Sequence, residues 1–325
     1  MMVTCSANSV REQMNEAGSS RKPFLFGVNF ELTQGFFIES PLEQHEILFD
    51  VAGKRNAAPT LFKHEKRFFH SFPMQENEYE QCFQIAYGGL RRGDSFLLNL
   101  TVPTRIEMDW TLKDVFFRSN SRYRLYVPDS FVCFSPETFV KILDGEILSY
   151  PMKGTISASV PHAEQIILAD YKETAEHNTI VDLIRNDLNR VAREVWVKRF
   201  RYIDRLNTSN GEILQVSSEV AGRLPDDYFS RIGNIIFELL PAGSISGAPK
   251  PSTLDIIKRA EGQKRGFYTG VFGYFDGETL DSAVMIRFIE KQKDCFYFRS
   301  GGGITINSDM RSEYQEVLEK VYLPF

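Results

Sequence analysis

Cysteine is scarce in this chain of 325 residues, and its scarcity limits the kinds of site that the chain can hold. The four cysteines are widely separated and form no CxxC pair: Cys5, Cys82, Cys133 and Cys295. This pattern is typical of reduced structural thiols. It argues against both a disulfide scaffold and a cysteine-based zinc site.

Long apolar runs are absent as well. No run approaches the roughly 18–20 residues that a helix needs to cross a bilayer. Residues 1–22 contain no apolar stretch that resembles a secretory signal. We therefore expect the protein to be cytoplasmic.

An excess of positive charge is also missing. The net charge of −5 at pH 7 gives no electrostatic reason to bind nucleic acid or an anionic membrane. Hydrophobic residues at 42% and charged residues at 25% match a soluble globular protein, which argues against a disordered or fibrous chain. No fixed-period repeat and no Pro- or Ser-rich linker is present, so function must be inferred from local motifs.

The sequence combines hairpin-joined strands with amphipathic helices. Asp144-Gly145 is a strong type I′ turn signal between two alternating strands. Apolar spacing and stop signals predict helices over residues 173–193, 226–240, 250–261 and 308–322. Because strict βαβ alternation is missing, we predict an α+β fold with mostly antiparallel sheets. Residues 1–21 are polar and aperiodic, and we expect a flexible tail there.

Two glycine-rich segments can bring the backbone close to a ligand. In the loop PAGSISGAPK (residues 241–250), Gly243, Gly247 and Lys250 precede a predicted helix, whose free N–H groups can cradle an anion. The alternative is a tight loop that needs positive φ. The run Gly301–Gly303 allows close approach of a ligand, or it forms a bulge.

Arg287 is the single charged residue in the apolar stretch AVMIRFI, which we predict to be a strand. An unpaired charge in a buried strand is costly. Arg287 therefore either pairs with an internal carboxylate or faces a cavity and binds an anionic ligand bidentately.

Two predicted helices carry carboxylates three residues apart. Glu173 and Glu176 lie on one helix, and Glu313 and Glu316, followed by Lys320, lie on another. Carboxylates from facing helices can bind a divalent ion, and Mg²⁺ suits a site with few protein ligands and a bound anion. The ordinary alternative is two solvated helix faces.

Lys153 and Glu137 are candidates for covalent or proton-transfer chemistry. Lys153, in PMKGT, can act as a nucleophile or base if its surroundings lower its pKa; otherwise it is a surface lysine. Glu137, in SPETF, either transfers a proton or is a turn residue. His177 has no partner at metal-ligand spacing, so we expect a structural role.

The order of the blocks is more informative than any one of them. They run SPE, PMKGT, AEHNTIVDLIRNDLNRV, PAGSISGAPK, YTGVFGYF, IRF, GGGITINSD and EYQEVLEK. This order closely resembles the chorismate-binding enzyme family, which includes anthranilate, aminodeoxychorismate, isochorismate and salicylate synthases. The resemblance covers about residues 95–325. It implies one large α+β catalytic domain over residues 22–325, with two packed antiparallel sheets, outer helices and a shortened N-terminal portion (22–94).

The resemblance also implies roles for individual residues. Glu176 and Glu316 match the glutamates that bind Mg²⁺, and Glu173 and Glu313 lie just outside the metal's own ligands. Glu137 matches the glutamate that assists proton transfer at the leaving ring hydroxyl. The positions that hold the carboxylates of chorismate, or that lie against the same pocket, are Tyr268, Arg287, Gly301, Gly302, Gly303, Lys320, Gly243 and Ser246.

Lys153 distinguishes branches of the family. Its PMKGT block resembles that of aminodeoxychorismate synthases, in which the lysine adds covalently to ring C2 while the C4 hydroxyl departs; anthranilate synthases carry a small residue there. The resemblance thus implies aminodeoxychorismate synthase component I, which makes 4-amino-4-deoxychorismate for p-aminobenzoate and folate synthesis. Lys153 must be neutral to attack, so we expect the site to lower its pKa against the effect of nearby glutamates.

The ammonia is expected to come from a separate glutamine amidotransferase subunit, because no cysteine here sits in a nucleophile-elbow context. Anthranilate synthase component I, isochorismate synthase and a non-catalytic chorismate-binding partner are the alternatives. Gln215 stands where the family often has histidine. Since an amide cannot shuttle a proton, the acid–base role is expected to fall to Glu137. The shortened N-terminal portion makes tryptophan binding doubtful.

Overall fold

The computed structural model describes residues 4–58, 68–208 and 211–325. The helices in these ranges are α1 (Ala7–Ser19), α2 (Glu76–Arg91), α3 (Leu112–Arg118), α4 (Ala163–Ala169), α5 (Tyr171–Leu188), α6 (Ile232–Leu239), α7 (Gly243–Ser246), α8 (Lys250–Glu261) and α9 (Met310–Glu319). None of them combines the length and the apolar character that crossing a membrane requires.

Many of the strands in the described ranges pair with the strand that follows them in the chain. They are β1 (Cys5–Ser6), β2 (Phe24–Val28), β3 (Gln34–Glu39), β4 (Leu48–Val51), β5 (Lys54–Arg55), β6 (Phe69–Phe72), β7 (Leu97–Met108), β8 (Tyr123–Val127), β9 (Phe131–Ser135), β10 (Thr138–Leu143), β11 (Glu146–Ser149), β12 (Met152–Ser157), β13 (Glu194–Thr208), β14 (Gly211–Arg223), β15 (Gly247–Ala248), β16 (Val271–Phe275), β17 (Leu280–Val284), β18 (Phe288–Gln292) and β19 (Cys295–Thr305).

These strands form two antiparallel sheets. The first has the order β1-β3-β2-β16-β17-β10-β11-β14-β12, with β13 paired to β14. The second has the order β15-β7-β19-β18-β9-β8-β4-β5, with β6 paired to β7. A buried apolar cluster joins the sheets: Leu25 and Phe272 come from the first, and Phe131 and Phe288 come from the second. The α+β expectation, with two packed antiparallel sheets, is confirmed.

Local signals were accurate where the sequence contains a strong turn or stop. Asp144 and Gly145 both have positive φ, at 51° and 76°, and they join β10 to β11 as a hairpin. The helix predicted over 250–261 is α8, which ends at Gly262 in the left-handed region.

The expected flexible tail over residues 1–21 is wrong for its described part. Residues 7–19 form α1, and Ser6 caps the helix by accepting a hydrogen bond from the backbone N–H of Ser9. Val10 and Met14 are fully buried in the core on the outer side of the first sheet. The helix forms because its narrow apolar stripe packs against α6, which is distant in sequence.

Two other predicted elements differ from the structure. The helix predicted over 226–240 begins with a 3₁₀ turn, Tyr228–Arg231, before α6 starts. The strand predicted through AVMIRFI is interrupted, because β17 belongs to the first sheet and β18 to the second. Arg287 lies in the connection between them with a φ of 52°. The sequence contains no signal of the crossover, because the strand residues on either side of it, Val284 and Phe288, are both apolar and buried.

Candidate active site

A cavity of about 610 Å³ lies between α5, β12 and the glycine loop. Its volume is within the range of small-molecule sites. Five of the candidate residues line it: Lys153, Glu137, Glu176, Gly243 and Gly303. The inner wall is apolar, with side chains from β10 and α5.

Lys153 lies on β12, and its ammonium faces a carboxylate of α5. Its Nζ is 2.7 Å from Oε2 of Glu176. Burial by itself lowers the pKa of Lys153. The hydrogen bond to Glu176 and the charges of Glu176, Glu173 and Glu316 outweigh burial, so the pKa is raised above its ordinary value. The expected lowering of this pKa is therefore wrong.

Helix α5 presents Glu173 and Glu176 on one face because they are three residues apart. The helix begins at a true N-cap, where the Asp170 carboxylate accepts a hydrogen bond of 2.8 Å from the backbone N–H of Glu173. Gly154 of β12 lies under Glu173: a Cβ at that position would be 3.0 Å from Glu173 Oε2. The Glu173 carboxylate therefore lies directly against β12.

Helix α9 places its carboxylates over β19. Lys320 Nζ donates to the carbonyl oxygen of Gly301 at 2.7 Å and to Glu316 Oε1 at 2.6 Å. Glu313 is buried and accepts a hydrogen bond of 2.7 Å from Ser308 Oγ. A Cβ at Gly302 would lie 3.3 Å from Glu313 Oε2, so the bare glycine backbone lets α9 approach the strand.

Three carboxylates near Lys153 are candidate ligands for a Mg²⁺ ion. The carboxylates of Glu173, Glu176 and Glu316 come from two helices, and all three raise the pKa of the same ammonium, Lys153. Within residues 4–58, 68–208 and 211–325, no three acidic, His or Cys side chains are already gathered as a metal-binding group. Magnesium commonly takes only one or two carboxylates and keeps several waters, so this oxygen-only arrangement is compatible with it.

Glu137 lies in the short connection between β9 and β10 and is held by a residue that the sequence did not single out. Ser244 Oγ of α7 donates a hydrogen bond of 2.6 Å to Glu137 Oε1. Burial raises the pKa of Glu137 above its ordinary value; the Ser244 hydrogen bond and the charges of Arg287 and Lys320 partly offset this rise. A carboxyl with a raised pKa is suited to donating a proton near neutral pH.

Arg287 is partly buried and is not paired with an acidic residue in the described part of the chain. Its Nε donates to the hydroxyl of Tyr322 at 3.3 Å. Of the two alternatives for this arginine, an ion pair with an internal carboxylate is not observed in the described residues. A guanidinium in this situation is available to an anionic ligand.

The comparison with known proteins agrees with this geometry. A family model described as chorismate binding enzyme matches residues 34–324. The chain belongs to the chorismate-binding enzyme family.

Individual relatives in this family cover the chain to different extents. The "Uncharacterized PabA-like protein" of Haemophilus influenzae is 52% identical over 317 residues, 96% of this chain and 95% of that one. Aminodeoxychorismate synthase component 1 of Bacillus subtilis is 33% identical over 270 residues, 77% of this chain and 55% of that one. The crystal structure of anthranilate synthase component I from Streptococcus pneumoniae has a TM-score of 0.66 and 28% identity, and covers 79% of this chain and 59% of that one.

Not every residue expected in the chorismate site lines the cavity. Tyr268, Arg287, Gly301, Gly302 and Lys320 are not among its lining residues. The charges of Arg287 and Lys320 still reach Glu137, where they lower its pKa. Tyr268 is buried, and burial raises its pKa to about 12.

Ser246 and Gln215 are not brought into the cavity. Ser246 is fully buried, and its hydroxyl donates to the carbonyl oxygen of Ala242 at 2.8 Å, so its expected contact with substrate is not supported. Gln215 lies on β14, between β12 and β13, opposite Thr155 and Asp204. Its amide is not part of the cavity lining.

His177 has the structural role that the sequence indicated. It is buried, and its Nε2 is 2.7 Å from Ser218 Oγ. Burial lowers the pKa of His177 to about 4, with a smaller contribution from the charge of Arg201. The imidazole is therefore neutral at physiological pH.

Proposed function

We propose that this chain is an aminodeoxychorismate synthase component I, which replaces the C4 hydroxyl of chorismate by an amino group. The observation that carries the proposal is the position of Lys153: its amine lines the cavity beside the candidate metal ligand Glu176 and in the same lining as Glu137. The B. subtilis relative of that name supports the same branch.

The proposed reaction has two displacements. In the first, the neutral amine of Lys153 forms a bond to ring C2, both conjugated ring double bonds shift, and the C4–O bond breaks; the hydroxyl leaves as water with a proton from Glu137. In the second, ammonia forms the C4–N bond, both double bonds shift back and the C2–lysine bond breaks; a proton of the new C4 ammonium group returns to Glu137. One difficult substitution is thus divided into two easier ones.

Glu137 and Arg287 have complementary tasks in this scheme. The raised pKa of Glu137 keeps a larger fraction of its carboxyl protonated, and Ser244 fixes the position of that carboxyl. Arg287, with no acidic partner in the described ranges, would bind a carboxylate of chorismate. Lys320, whose Nζ donates to the carbonyl oxygen of Gly301, and the backbone of Gly301–Gly303 would contact the same ligand.

Glu176 and Glu316 are the residues that we propose as Mg²⁺ ligands. The ion would neutralise the ring carboxylate and fix the anionic substrate. A Glu176 carboxylate that binds a cation would raise the pKa of Lys153 less than the same carboxylate without a bound cation. Cation binding at Glu176 would therefore help Lys153 to lose its proton.

We further propose that ammonia is supplied by a glutamine amidotransferase subunit. Burial raises the pKa of the Cys133 and Cys82 thiols, so these two cysteines are poorly suited to act as a glutaminase nucleophile. Free ammonium salts should therefore replace the partner in an assay.

Anthranilate synthase component I is the second candidate. The S. pneumoniae structure of that name shares 28% of its residues with this chain over the matched part. In that reaction ammonia attacks the ring directly and no lysine nucleophile is needed. The lysine in the cavity favours the first candidate.

Product analysis tests the proposal. Incubation of the purified chain with chorismate, Mg²⁺ and ammonium salts, followed by chromatography and mass spectrometry, should give 4-amino-4-deoxychorismate. Lys153→Ala should reduce its formation by about 10²-fold or more. Lys22→Ala, which removes an exposed lysine paired to Glu39, is the control and should leave the rate unchanged. Anthranilate and pyruvate as main products, or chorismate binding without turnover, would contradict the assignment.

A further inference from the structure

The guanidinium of Arg287 has surroundings unlike those of a structural arginine in this fold. Arg265 is fully buried and lies 2.6 Å from the carboxylate of Glu261. In the parts of the chain that the structure describes, the Arg287 side chain makes one hydrogen bond, from Nε to Tyr322 Oη at 3.3 Å. A partly buried cation with a phenol as its neighbour retains most of its capacity to bind an anion.

Tyr322 is held in place from both sides. It lies in the segment that follows α9, where Val321 and Leu323 pack against the apolar cluster under the second sheet. The ring of Phe325 meets Trp110 of that cluster at 5.3 Å. Because the flanking side chains point into the protein, Tyr322 projects away from it and is 46% exposed. The phenol position is therefore determined by anchored neighbours.

The contact determines which edge of the guanidinium stays open. Tyr322 takes the Nε–H, and its ring centroid lies 5.6 Å from Cζ of Arg287. Neither Nη atom hydrogen-bonds to a residue in the described ranges. A carboxylate bound in the bidentate manner needs two coplanar N–H groups, and the Nη edge supplies them.

We propose that Tyr322 is a positioning residue for substrate binding: it orients Arg287 so that its Nη edge meets a carboxylate of the bound ligand. This inference rests on the proposed function, which makes chorismate the ligand. Tyr322 acts through Arg287 and takes no part in the bond-making steps. Its removal should therefore weaken binding and leave the chemical steps unchanged.

The first test is Tyr322→Phe, which removes the hydroxyl and keeps the ring. The dissociation constant of chorismate, measured by titration calorimetry in the presence of Mg²⁺, should rise by about 3- to 10-fold, the size expected for the loss of one ordinary hydrogen bond. The kcat for chorismate consumption should stay within about twofold. Tyr314→Phe is the matched control: its hydroxyl donates to the carbonyl oxygen of Met74 at 2.6 Å, so the dissociation constant should not change.

The second test is a double-mutant cycle with Arg287→Lys, because a lysine has no Nε–H to offer the phenol. If Tyr322 acts through Arg287, adding Tyr322→Phe to this background should cause no further loss of affinity. An unchanged dissociation constant in Tyr322→Phe, or an equal loss in both backgrounds, would overturn the inference. Because affinity is measured without reference to product, wild-type protein that binds chorismate but makes anthranilate would contradict the proposed function alone. Wild-type protein that does not bind chorismate would contradict both.

Discussion

Lys153 Nζ and Glu176 Oε2 are 2.7 Å apart, so the proposed nucleophile and a proposed metal ligand form an ion pair. An ammonium in this pair keeps its proton more firmly than a free lysine does. Activation of the amine therefore requires the ion pair between Lys153 and Glu176 to weaken.

Replacing Glu176 with glutamine should make Lys153 reactive at lower pH. The amide removes the charge and the hydrogen bond that raise the lysine pKa, and only the neutral amine reacts with an acylating reagent. Labelling of the Lys153 peptide across pH, followed by mass spectrometry in metal-free buffer, should show a lower midpoint in Glu176→Gln than in wild type. Addition of Mg²⁺ to wild type should shift the midpoint in the same direction. Equal midpoints in all three samples would show that Glu176 does not control the amine.

In Ser244→Ala, the pH above which activity declines should be higher than in wild type. The lost hydrogen bond stabilises the ionised form of Glu137, so its removal raises the pKa of that carboxyl further. Glu137 must be protonated to donate to the leaving hydroxyl, and activity therefore falls as pH rises through its pKa. The rate of chorismate consumption should be followed across pH at constant free ammonia. Glu137→Gln should lose about 10²- to 10⁴-fold in kcat. A decline at the same pH in wild type and Ser244→Ala would contradict this role.

His177 should make the free energy of unfolding depend on pH. Below its ordinary pKa of 6.5 the unfolded chain takes up a proton that the native imidazole does not accept until about pH 4. Stability is therefore lost as pH falls through this interval. Between about pH 7 and pH 5 the loss from this residue is about 2 kcal/mol. Denaturant unfolding should show that much less pH dependence in His177→Gln than in wild type; an equal dependence would exclude a neutral buried imidazole.

Gly247→Ala should strongly destabilise the glycine loop. A Cβ at this position would lie 1.9 Å from the carbonyl oxygen of Leu97, and the φ of +122° is unfavourable for any other residue. We expect a loss of more than about 2 kcal/mol, measured by thermal unfolding. Gly88→Ala in α2 is the opposite case, because the nearest atom would be at 3.5 Å and alanine favours a helix by about 0.5–1 kcal/mol. A Gly247 variant as stable as wild type would contradict the close approach.

The sequence was sufficient wherever a local rule determines the structure. The hairpin at Asp144-Gly145 and the end of α8 at Gly262 follow from residues that tolerate positive φ. Helix α1 was missed because its apolar stripe is narrow, and its stability comes from packing against α6, more than two hundred residues away. Contacts of that kind leave no local signal.

In the candidate site, too, the sequence predicts some features and only the fold determines others. The motif order identified Lys153, Glu137 and Glu176 as cavity residues, but it could not show which hydroxyl reaches Glu137. Ser244 and Ser246 are two residues apart in one loop, and only the fold shows that the first bonds the carboxylate and the second turns inward. The contact of Tyr322 with Arg287 is likewise a product of tertiary packing.

Residues 285–287 leave one sheet and enter the other, while Lys153 belongs to the first layer and Gly303 to the second. A small molecule that binds groups from both sheets links the two sheets to each other. Occupancy of the cavity should then slow amide hydrogen exchange in strands far from any direct contact, on both sides of the sandwich. Ligand binding would then also stabilise the packing of one sheet against the other.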